Sequence, residues 1–293
     1  MKIIFMGTPM FAVPCLNALV TKHEVIGVFT QPDRPSGRGH KLAASPVKVA
    51  ATEYGIPVFQ PETLKISESK EIRAELASFG ADIFVVVAYG LLLPKGVLAM
   101  PPHGCVNVHA SLLPKYRGAS PIHSALLNGD NETGITIMHM DTGIDTGDII
   151  SQKSLQISRE EHFPQLHDRM SQLGAELLLE TLTQIENGTA TRTPQNNSLA
   201  SHSPLIKKED GEIDWNDSTE KILNKIRAFD PWPGCFTTHN GQTLKIWNAE
   251  DAGNLSPSGA MIFKTADGAI RITELQPAGK KRMLAVDFLR GLR

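Results

Sequence analysis

The stretch Met1–Thr30, M-K-I-I-F-M-G-T-P-M-F-A-V-P-C-L-N-A-L-V-T-K-H-E-V-I-G-V-F-T, decides the fold. Lys2–Met6 is a β-branched and aromatic run stopped by Gly7, the pattern of a buried strand. Phe11–Val20 carries apolar residues at helical spacing, and Val25–Phe29 is a second apolar run. Strand, helix and strand on short connections predict a βαβ unit, and so a parallel sheet. Gly7-Thr8-Pro9 cuts the first apolar run after four residues, which reads against a signal peptide. No later run approaches the ~20 apolar residues of a membrane span. The expectation is a soluble cytoplasmic protein without membrane contact.

Outward from that unit the alternation continues. Lys48–Tyr54 and Ser69–Phe79 read as helices, Asp82–Tyr89 and Gly104–His109 as buried strands. Ala119–Leu127 reads as a helix, Ile135–Met140 as a strand, and Pro164–Gln184 as the longest helix. Asn187–Pro204 is polar, rich in Thr, Ser and Asn, and reads as a linker. Beyond it come a helix at Ser218–Phe229 and short alternating segments at Thr243–Trp247, Gly259–Phe263 and Ala269–Leu275. These predict a small β-barrel or sandwich. The whole is an α/β chain with a mostly parallel sheet in a first domain over residues 1–188. A linker follows over 189–206, and a β-rich domain over 207–293.

The bulk properties fit. A chain of 293 residues has room for two domains, and 41% hydrophobic with 20% charged residues is an ordinary globular balance. The formal net charge of −2 gives no overall pull on nucleic acid, so any such contact must come from local basic patches. Cys15, Cys105 and Cys235 are far apart and read as reduced buried thiols.

Gly7-Thr8-Pro9 lacks the further glycines of a dinucleotide loop, and no Walker motif occurs. Ligands of open α/β sheets nonetheless bind at the carboxyl ends of the strands. There lies C-V-N-V-H-A-S-L-L-P-K-Y-R-G-A-S-P, Cys105–Pro121. Alternate strand residues share a face, so Cys105, Asn107 and His109 point one way and Val106 and Val108 the other. An amide beside a titratable ring suits the stabilisation of a developing oxyanion. The alternative is a core pair satisfied by backbone. A second stretch, M-D-T-G-I-D-T-G-D-I (Met140–Ile149), holds three acids after a strand. It reads either as a solvated turn or as the source of a carboxylate that orients His109 and favours its cation. A third, Gln31–Lys48, holds Arg34, Arg38, Lys41 and Lys48 against only Asp33. It reads either as a solvated insertion or as a basic arm for a phosphate backbone.

Together these stretches resemble the formyltransferases that use 10-formyltetrahydrofolate. N-V-H-A-S-L-L-P-K-Y-R-G (Asn107–Gly118) and D-T-G-I-D-T-G-D (Asp141–Asp148) are shared across that superfamily. F-M-G-T-P-M-F-A (Phe5–Ala12), V-F-T-Q-P-D-R-P-S-G-R-G (Val28–Gly39) and V-V-A-Y-G-L-L-L-P (Val86–Pro94) look like the branch whose acceptor is methionyl initiator tRNA. So do I-D-W (Ile213–Trp215), I-R-A-F-D-P-W-P-G (Ile226–Gly234) and L-Q-P-A-G-K-K (Leu275–Lys281). The resemblance implies a Rossmann-like catalytic domain, a linker and an OB-like, tRNA-binding barrel, in a monomer. It implies a catalytic set Asn107, His109 and Asp145, and folate contacts at Ser111, Leu112, Leu113 and Pro114. It implies tRNA contacts at Arg34, Arg38, Lys41, Lys207, Lys208, Lys280 and Lys281, with Arg38 foremost in a loop that wedges into the acceptor stem. No metal is implied. Leu205 stands where the family often has Lys, with Lys207 and Lys208 as substitutes. The chain also ends sooner, at Gly291-Leu292-Arg293, than the resemblance leads one to expect.

Rival readings follow from the same residues. Ser111, His109 and Asp145 have the residue types of a hydrolase triad, but Ser111 lacks the G-x-S-x-G elbow. Cys105 shares a strand face with His109 without any sign of activation. His103, His109, His123 and His139 have no metal spacing with acids or cysteines. A small-amine acceptor, such as glycinamide ribonucleotide or an amino sugar nucleotide, would need neither the basic loop nor the second domain. An inert RNA-binding protein would not need the Asn–His–Asp set.

Overall fold

The computed structural model describes residues 1–36, 41–65, 69–253 and 260–291. Arg38 lies outside the described residues, and so does the side chain of Lys41. The chain forms two compact units. The first holds residues 1–117, 134–155 and 168–202; the second holds 118–133, 156–167 and 203–293. Residues 118–133 and 156–167 thus cluster with the C-terminal residues, and residues 189–202 with the N-terminal ones.

The first unit is built on a seven-stranded sheet. Its strands are β1 (Lys2–Gly7), β2 (Glu24–Phe29), β3 (Val58–Phe59), β4 (Ile83–Val87), β5 (Cys105–His109), β6 (Glu132–His139) and β7 (Ile149–Gln156). They lie in the order β7-β6-β5-β4-β1-β2-β3. The pairings of β1 with β2 and β4, of β2 with β3, and of β4 with β5 are parallel; β6 runs antiparallel to β5. The chain returns across β1 to start β4 on its other side, so the topological switch point falls between them. The parallel βαβ start is therefore as the sequence predicts. The strand β7 is not: its alternating exposure reflects polar residues on one face, which reads as loop in sequence.

The sheet is apolar because it is covered on both faces. Ile3–Met6 in β1 are wholly buried. One face joins Ile4, Met6, Phe29, Phe84, Val86 and Cys105 to Leu64, Leu76, Leu93 and Val97. Leu76 comes from α3 (Lys70–Ser78) and Val97 from α4 (Lys95–Leu98); the unit also holds α1 (Val13–Lys22) and α2 (Pro46–Glu53). Ser45 starts α2 by accepting the Lys48 backbone N–H at 3.0 Å, an N-cap that answers an otherwise unpaired donor. Gly7 has a packing reason. A Cβ there would sit 2.8 Å from Phe5 Cε1, 2.9 Å from Ala12 Cβ and 3.0 Å from the Val87 carbonyl. Its role is the tight exit from β1, and no phosphate need be invoked.

The second unit contains α5 (Pro121–Leu127), α7 (Thr219–Ala228), α8 (Ala285–Arg290) and a five-stranded antiparallel sheet; the long helix α6 (Phe163–Glu186) runs from this unit into the first. The sheet's strands are β8 (Cys235–His239), β9 (Gln242–Asp251), β10 (Met261–Lys264), β11 (Ala269–Pro277) and β12 (Met283–Leu284), in the order β8-β9-β11-β10 with β12 on β11. The I-D-W motif is a packing anchor. Trp215 stacks on Phe263 at 4.3 Å and its indole N–H donates to Thr237 Oγ1 at 2.9 Å. Ile213 N–H donates to the Phe236 carbonyl at 2.9 Å. Asp230, at the head of D-P-W-P-G, faces His162 Nδ1 at 3.2 Å and Arg282 Nη1 at 3.5 Å. Among the described residues no helix is long and apolar enough to cross a membrane.

His123 of α5 stacks on Phe163 at 4.1 Å. Burial pushes its pKa down from 6.5 to about 4, against a hydrogen bond that the ring donates to the Trp232 backbone. The unfolded chain therefore binds a proton that the folded chain refuses, and the stabilising contribution present above about 6.5 is lost as pH falls toward about 4. Urea melts across that window should show a falling midpoint, and His123→Phe should flatten the slope. An equal slope in the variant would assign the pH dependence to other groups.

Candidate active site

Strand β5 is buried along its length except at Asn107. Val108 faces α6, where Gly174 would place a Cβ 3.1 Å from Val108 Cγ1. Cys105 faces the opposite layer, with its Sγ 3.7 Å from the Leu98 carbonyl. Period two thus carries Asn107 and His109 onto the Cys105 face. That face is closed at Cys105 and open at Asn107, whose amide has no hydrogen-bond partner among the described residues.

His109 is buried, and both its ring nitrogens face acceptor oxygens. Nε2 lies 3.0 Å from the Tyr116 carbonyl and Nδ1 lies 3.5 Å from Asp145 Oδ2. Only the doubly protonated ring directs a donor at both. Of the acids in Asp141–Asp148, Asp145 is the one that reaches the histidine. Asp141 instead accepts from Gly143 N–H at 2.9 Å and from Thr146 Oγ1 at 2.7 Å. The structure therefore brings together the three residues carried over from the resemblance.

Two of the contacts come from strained backbone. Tyr116 has φ +60° and Asp145 φ +53°, the left-handed region that side chains other than glycine rarely adopt. Each such residue costs about 1–3 kcal/mol and persists only where its surroundings hold it. The surroundings are visible. Tyr116 N–H donates to Ser201 Oγ at 2.9 Å. The Asp145 carbonyl accepts from Gln195 Nε2 at 2.9 Å, and the same nitrogen donates to the Gly147 carbonyl at 2.8 Å. Gln195 Oε1 in turn accepts from Arg117 Nε at 3.0 Å and Nη2 at 2.8 Å. Arg117 is buried and also donates to Asn197 Oδ1 at 2.8 Å. Thr193 is bridged to Ile149 by reciprocal backbone bonds of 2.9 Å. The polar stretch that reads as a linker is fastened along the first unit here. Nothing in its composition signals this, because Gln195 and Ser201 look like any other loop residues.

The S-L-L-P loop hangs on Thr136. Its hydroxyl donates to the Ser111 carbonyl at 2.6 Å and accepts from Leu113 N–H at 3.0 Å and Gln152 Nε2 at 2.9 Å. Gln152 Nε2 also donates to the Leu113 carbonyl at 2.9 Å. Leu113–Pro114 is a cis peptide. Of the four expected folate contacts, Ser111 is wholly buried, with its hydroxyl on the Lys115 carbonyl at 2.6 Å, and Leu113 is buried too. Leu112 and Pro114 are half-buried and present surface. Met10 and Leu92, on the loops that follow β1 and β4, and Ile144, beside Asp145, are exposed apolar side chains.

The strand ends at the switch point are tied by residues the sequence did not flag. Thr8 Oγ1 donates to the Tyr89 carbonyl at 2.9 Å, and Gln31 Nε2 donates to the same carbonyl at 3.4 Å. The foot of the basic loop is pinned as well. Lys48 Nζ donates to Asp33 Oδ2 and Gln60 Oε1, both at 2.7 Å, and Gln60 Nε2 donates to Asp33 Oδ1 at 2.7 Å; the bonds from Lys48 and Gln60 hold the Asp33 carboxyl below its ordinary range. Lys48 is therefore a structural cation. Arg34 is exposed and donates to Gln31 Oε1 at 3.1 Å. In the second unit Lys207, Lys208, Lys280 and Lys281 are all exposed, as is Leu205. Lys280 and Lys281 sit on the turn between β11 and β12. Among the described residues no cluster of His, Cys, Asp and Glu could hold a metal ion.

Replacing Thr136 with Val should leave the Leu113 N–H without a partner and cost about 1–3 kcal/mol in denaturant unfolding. Thr136→Ser, which keeps the hydroxyl, should lose no more than about 1 kcal/mol. Equal losses would assign the effect to the methyl group.

Two family descriptions match. Formyl transferase covers residues 1–182, and Formyl transferase, C-terminal domain, covers residues 205–293. Among similar curated proteins, the methionyl-tRNA formyltransferase of Geobacter metallireducens is 48% identical over all of this chain and 96% of its own length. That of Alkaliphilus oremlandii is 47% identical over 99% of this chain and 96% of its own. Among solved structures, an N-formyltransferase from Helicobacter canadensis with folinic acid and dTDP-3-aminofucose has a TM-score of 0.70 at 22% identity, over 94% of this chain and 99% of that one. HypX from Aquifex aeolicus with tetrahydrofolic acid has a TM-score of 0.64 at 18% identity, over 99% of this chain and 47% of that one. These two share the fold.

Proposed function

We propose that this chain, which belongs to the formyl transferase family, moves a formyl group from 10-formyltetrahydrofolate to the α-amine of methionyl initiator tRNA. Similarity to methionyl-tRNA formyltransferases over essentially the full length of both chains carries the choice of acceptor. The single structural observation behind the chemistry is the unpartnered amide of Asn107 beside a histidine held between two acceptors.

The folate co-substrate supplies a formyl carbon whose oxygen gains negative charge as the amine attacks. The residues present suit such a donor: an orphan amide, half-buried Leu112 and Pro114, and exposed apolar side chains at Met10, Leu92 and Ile144. Asn107 donates to the oxygen that gains charge. His109 gives the same oxygen the Nε2 N–H that otherwise faces the Tyr116 carbonyl, exchanging one acceptor for the other, while Asp145 holds Nδ1 on the far side of the ring. Asp145 orients the ring and takes the proton that the attacking amine loses, directly or through water. The exposed Arg34, Lys207, Lys208, Lys280 and Lys281 hold the phosphate backbone, together with Arg38 and Lys41 of the same loop as Arg34.

Labelled formyl transfer to methionyl initiator tRNA, run beside glycinamide ribonucleotide and an amino sugar nucleotide, tests the reading. Transfer to a small amine and none to tRNA would overturn it. Asn107→Ala should lower kcat by about 100- to 1,000-fold, as expected for removal of one oxyanion donor. Its melting temperature should barely move, since the amide bonds nothing among the described residues. Replacing Lys280 and Lys281 together by Ala should raise KM for tRNA and lower the slope of log affinity against log salt by about 1–2. An unchanged slope would remove these lysines from the interface.

A further inference from the structure

Gln195 touches both the strained backbone of the Asp145 loop and the chain that follows His109. Its amide has two ends with different neighbours. The Nε2 end donates to the Asp145 carbonyl at 2.9 Å and the Gly147 carbonyl at 2.8 Å. The Oε1 end accepts two bonds from buried Arg117, at 3.0 and 2.8 Å. Arg117 follows Tyr116 directly, and the Tyr116 carbonyl is the acceptor at His109 Nε2. The amide therefore spans the two loops that address opposite nitrogens of one imidazole.

The arrangement also fixes the direction of the amide. A reversed amide would put an oxygen against two carbonyls and an N–H against a guanidinium, both repulsive. Arg117 has no acceptor capacity, so it enforces the oxygen toward itself and the nitrogen toward Asp145. Asp145 holds φ +53°, a left-handed conformation that persists only where something outside the residue holds it. The bonds from Nε2 close on both sides of Thr146, at residues 145 and 147. They clamp the peptide segment that sets the Asp145 side chain at 3.5 Å from His109 Nδ1.

We infer that Gln195 is a positioning residue for the reaction: it locks the left-handed Asp145 backbone so that the carboxylate meets His109, with Arg117 setting the sense of its amide. The inference rests on the proposed roles of Asp145 and His109. It adds a residue outside both shared motifs and assigns the polar 193–201 stretch a part in catalysis.

The test separates clamping from folding. Gln195→Glu keeps an oxygen for Arg117, and so keeps the buried guanidinium paired, but puts its second oxygen where the bridging N–H was. Its melting temperature should equal or exceed that of the parent, while kcat falls at least about 10-fold with KM for folate and for tRNA within about 2-fold. Asn197→Ala removes the other acceptor of Arg117 and leaves the Asp145 clamp, so its kcat should stay within about 2-fold. The decisive readout is coupling. Added to Asp145→Ala, Gln195→Glu should cost less than about 2-fold, because the group it positions is gone. Gln195→Met, neutral and of similar length, carries the same cycle if the Glu variant does not fold. A Gln195→Glu enzyme with parental kcat overturns the inference, and so does a loss that multiplies with that of Asp145→Ala. An equal loss in Asn197→Ala also overturns it, by tracing the effect to Arg117 packing. Parental activity in Asp145→Ala alone would instead sink the proposed site itself.

Discussion

The hydroxyl of Thr136 sits in the sheet with no access to water, donating to one carbonyl and accepting from an amide N–H and a glutamine side chain. A buried hydroxyl with all its hydrogen-bonding capacity used is costly to disturb, because each partner it loses is left desolvated and unpaired. Here those partners are the backbone of the loop that leaves β5. Thr136 pairs with His109 across the antiparallel ladder, so the knot lies beside the histidine. The loop then returns its Tyr116 carbonyl to the ring of His109. The geometry at the histidine thus follows from one strand pairing and one saturated hydroxyl.

Around that knot the chain divides its polar groups by task. Asn107 is left with an empty amide in an otherwise buried strand. Asp33, Lys48 and Gln60 satisfy one another at the foot of the basic loop, as do Arg117, Gln195 and Asn197 behind the site. In the second cluster the buried Arg117 is taken from solvent without being left unpaired, the condition under which a buried charge is tolerated. The two positive-φ residues Tyr116 and Asp145 are the places where local conformational preference is overruled. Both are overruled by side chains from residues 195–201.

Most of the architecture is legible in the sequence, because the signals are periodic. The I-I-F-M and I-F-V-V-V runs mark buried parallel strands, and the alternation in C-V-N-V-H puts Asn107 and His109 on one face. Asp145 was legible only through resemblance: by composition alone, any of Asp141, Asp145 and Asp148 could have faced the ring. What could not be read is side-chain work done across long separations. Lys48 looks like part of a basic arm until Asp33 and Gln60 are seen around it. Ser111 looks like a ligand contact until its hydroxyl is found on Lys115. Gln195 looks like linker, since a glutamine that bonds carbonyls from a distant loop carries no mark that a solvated one lacks. The strand Ile149–Gln156 was missed because polar residues on its outer face dilute the pattern.

The fastening of residues 193–201 has a consequence for how such a chain can change in length over time. Thr193, Gln195, Asn197 and Ser201 each bind a fixed partner in the first unit, so one inserted residue between them would move every later partner out of register. Just before them the chain passes through Gly188, where an added Cβ would meet nothing, and through exposed residues to Arg192. Insertions and deletions arising in a lineage of this protein are therefore absorbed between Gly188 and Arg192, while the segment after it keeps its count. A stretch with the composition of a tether carries the length constraint of a core element.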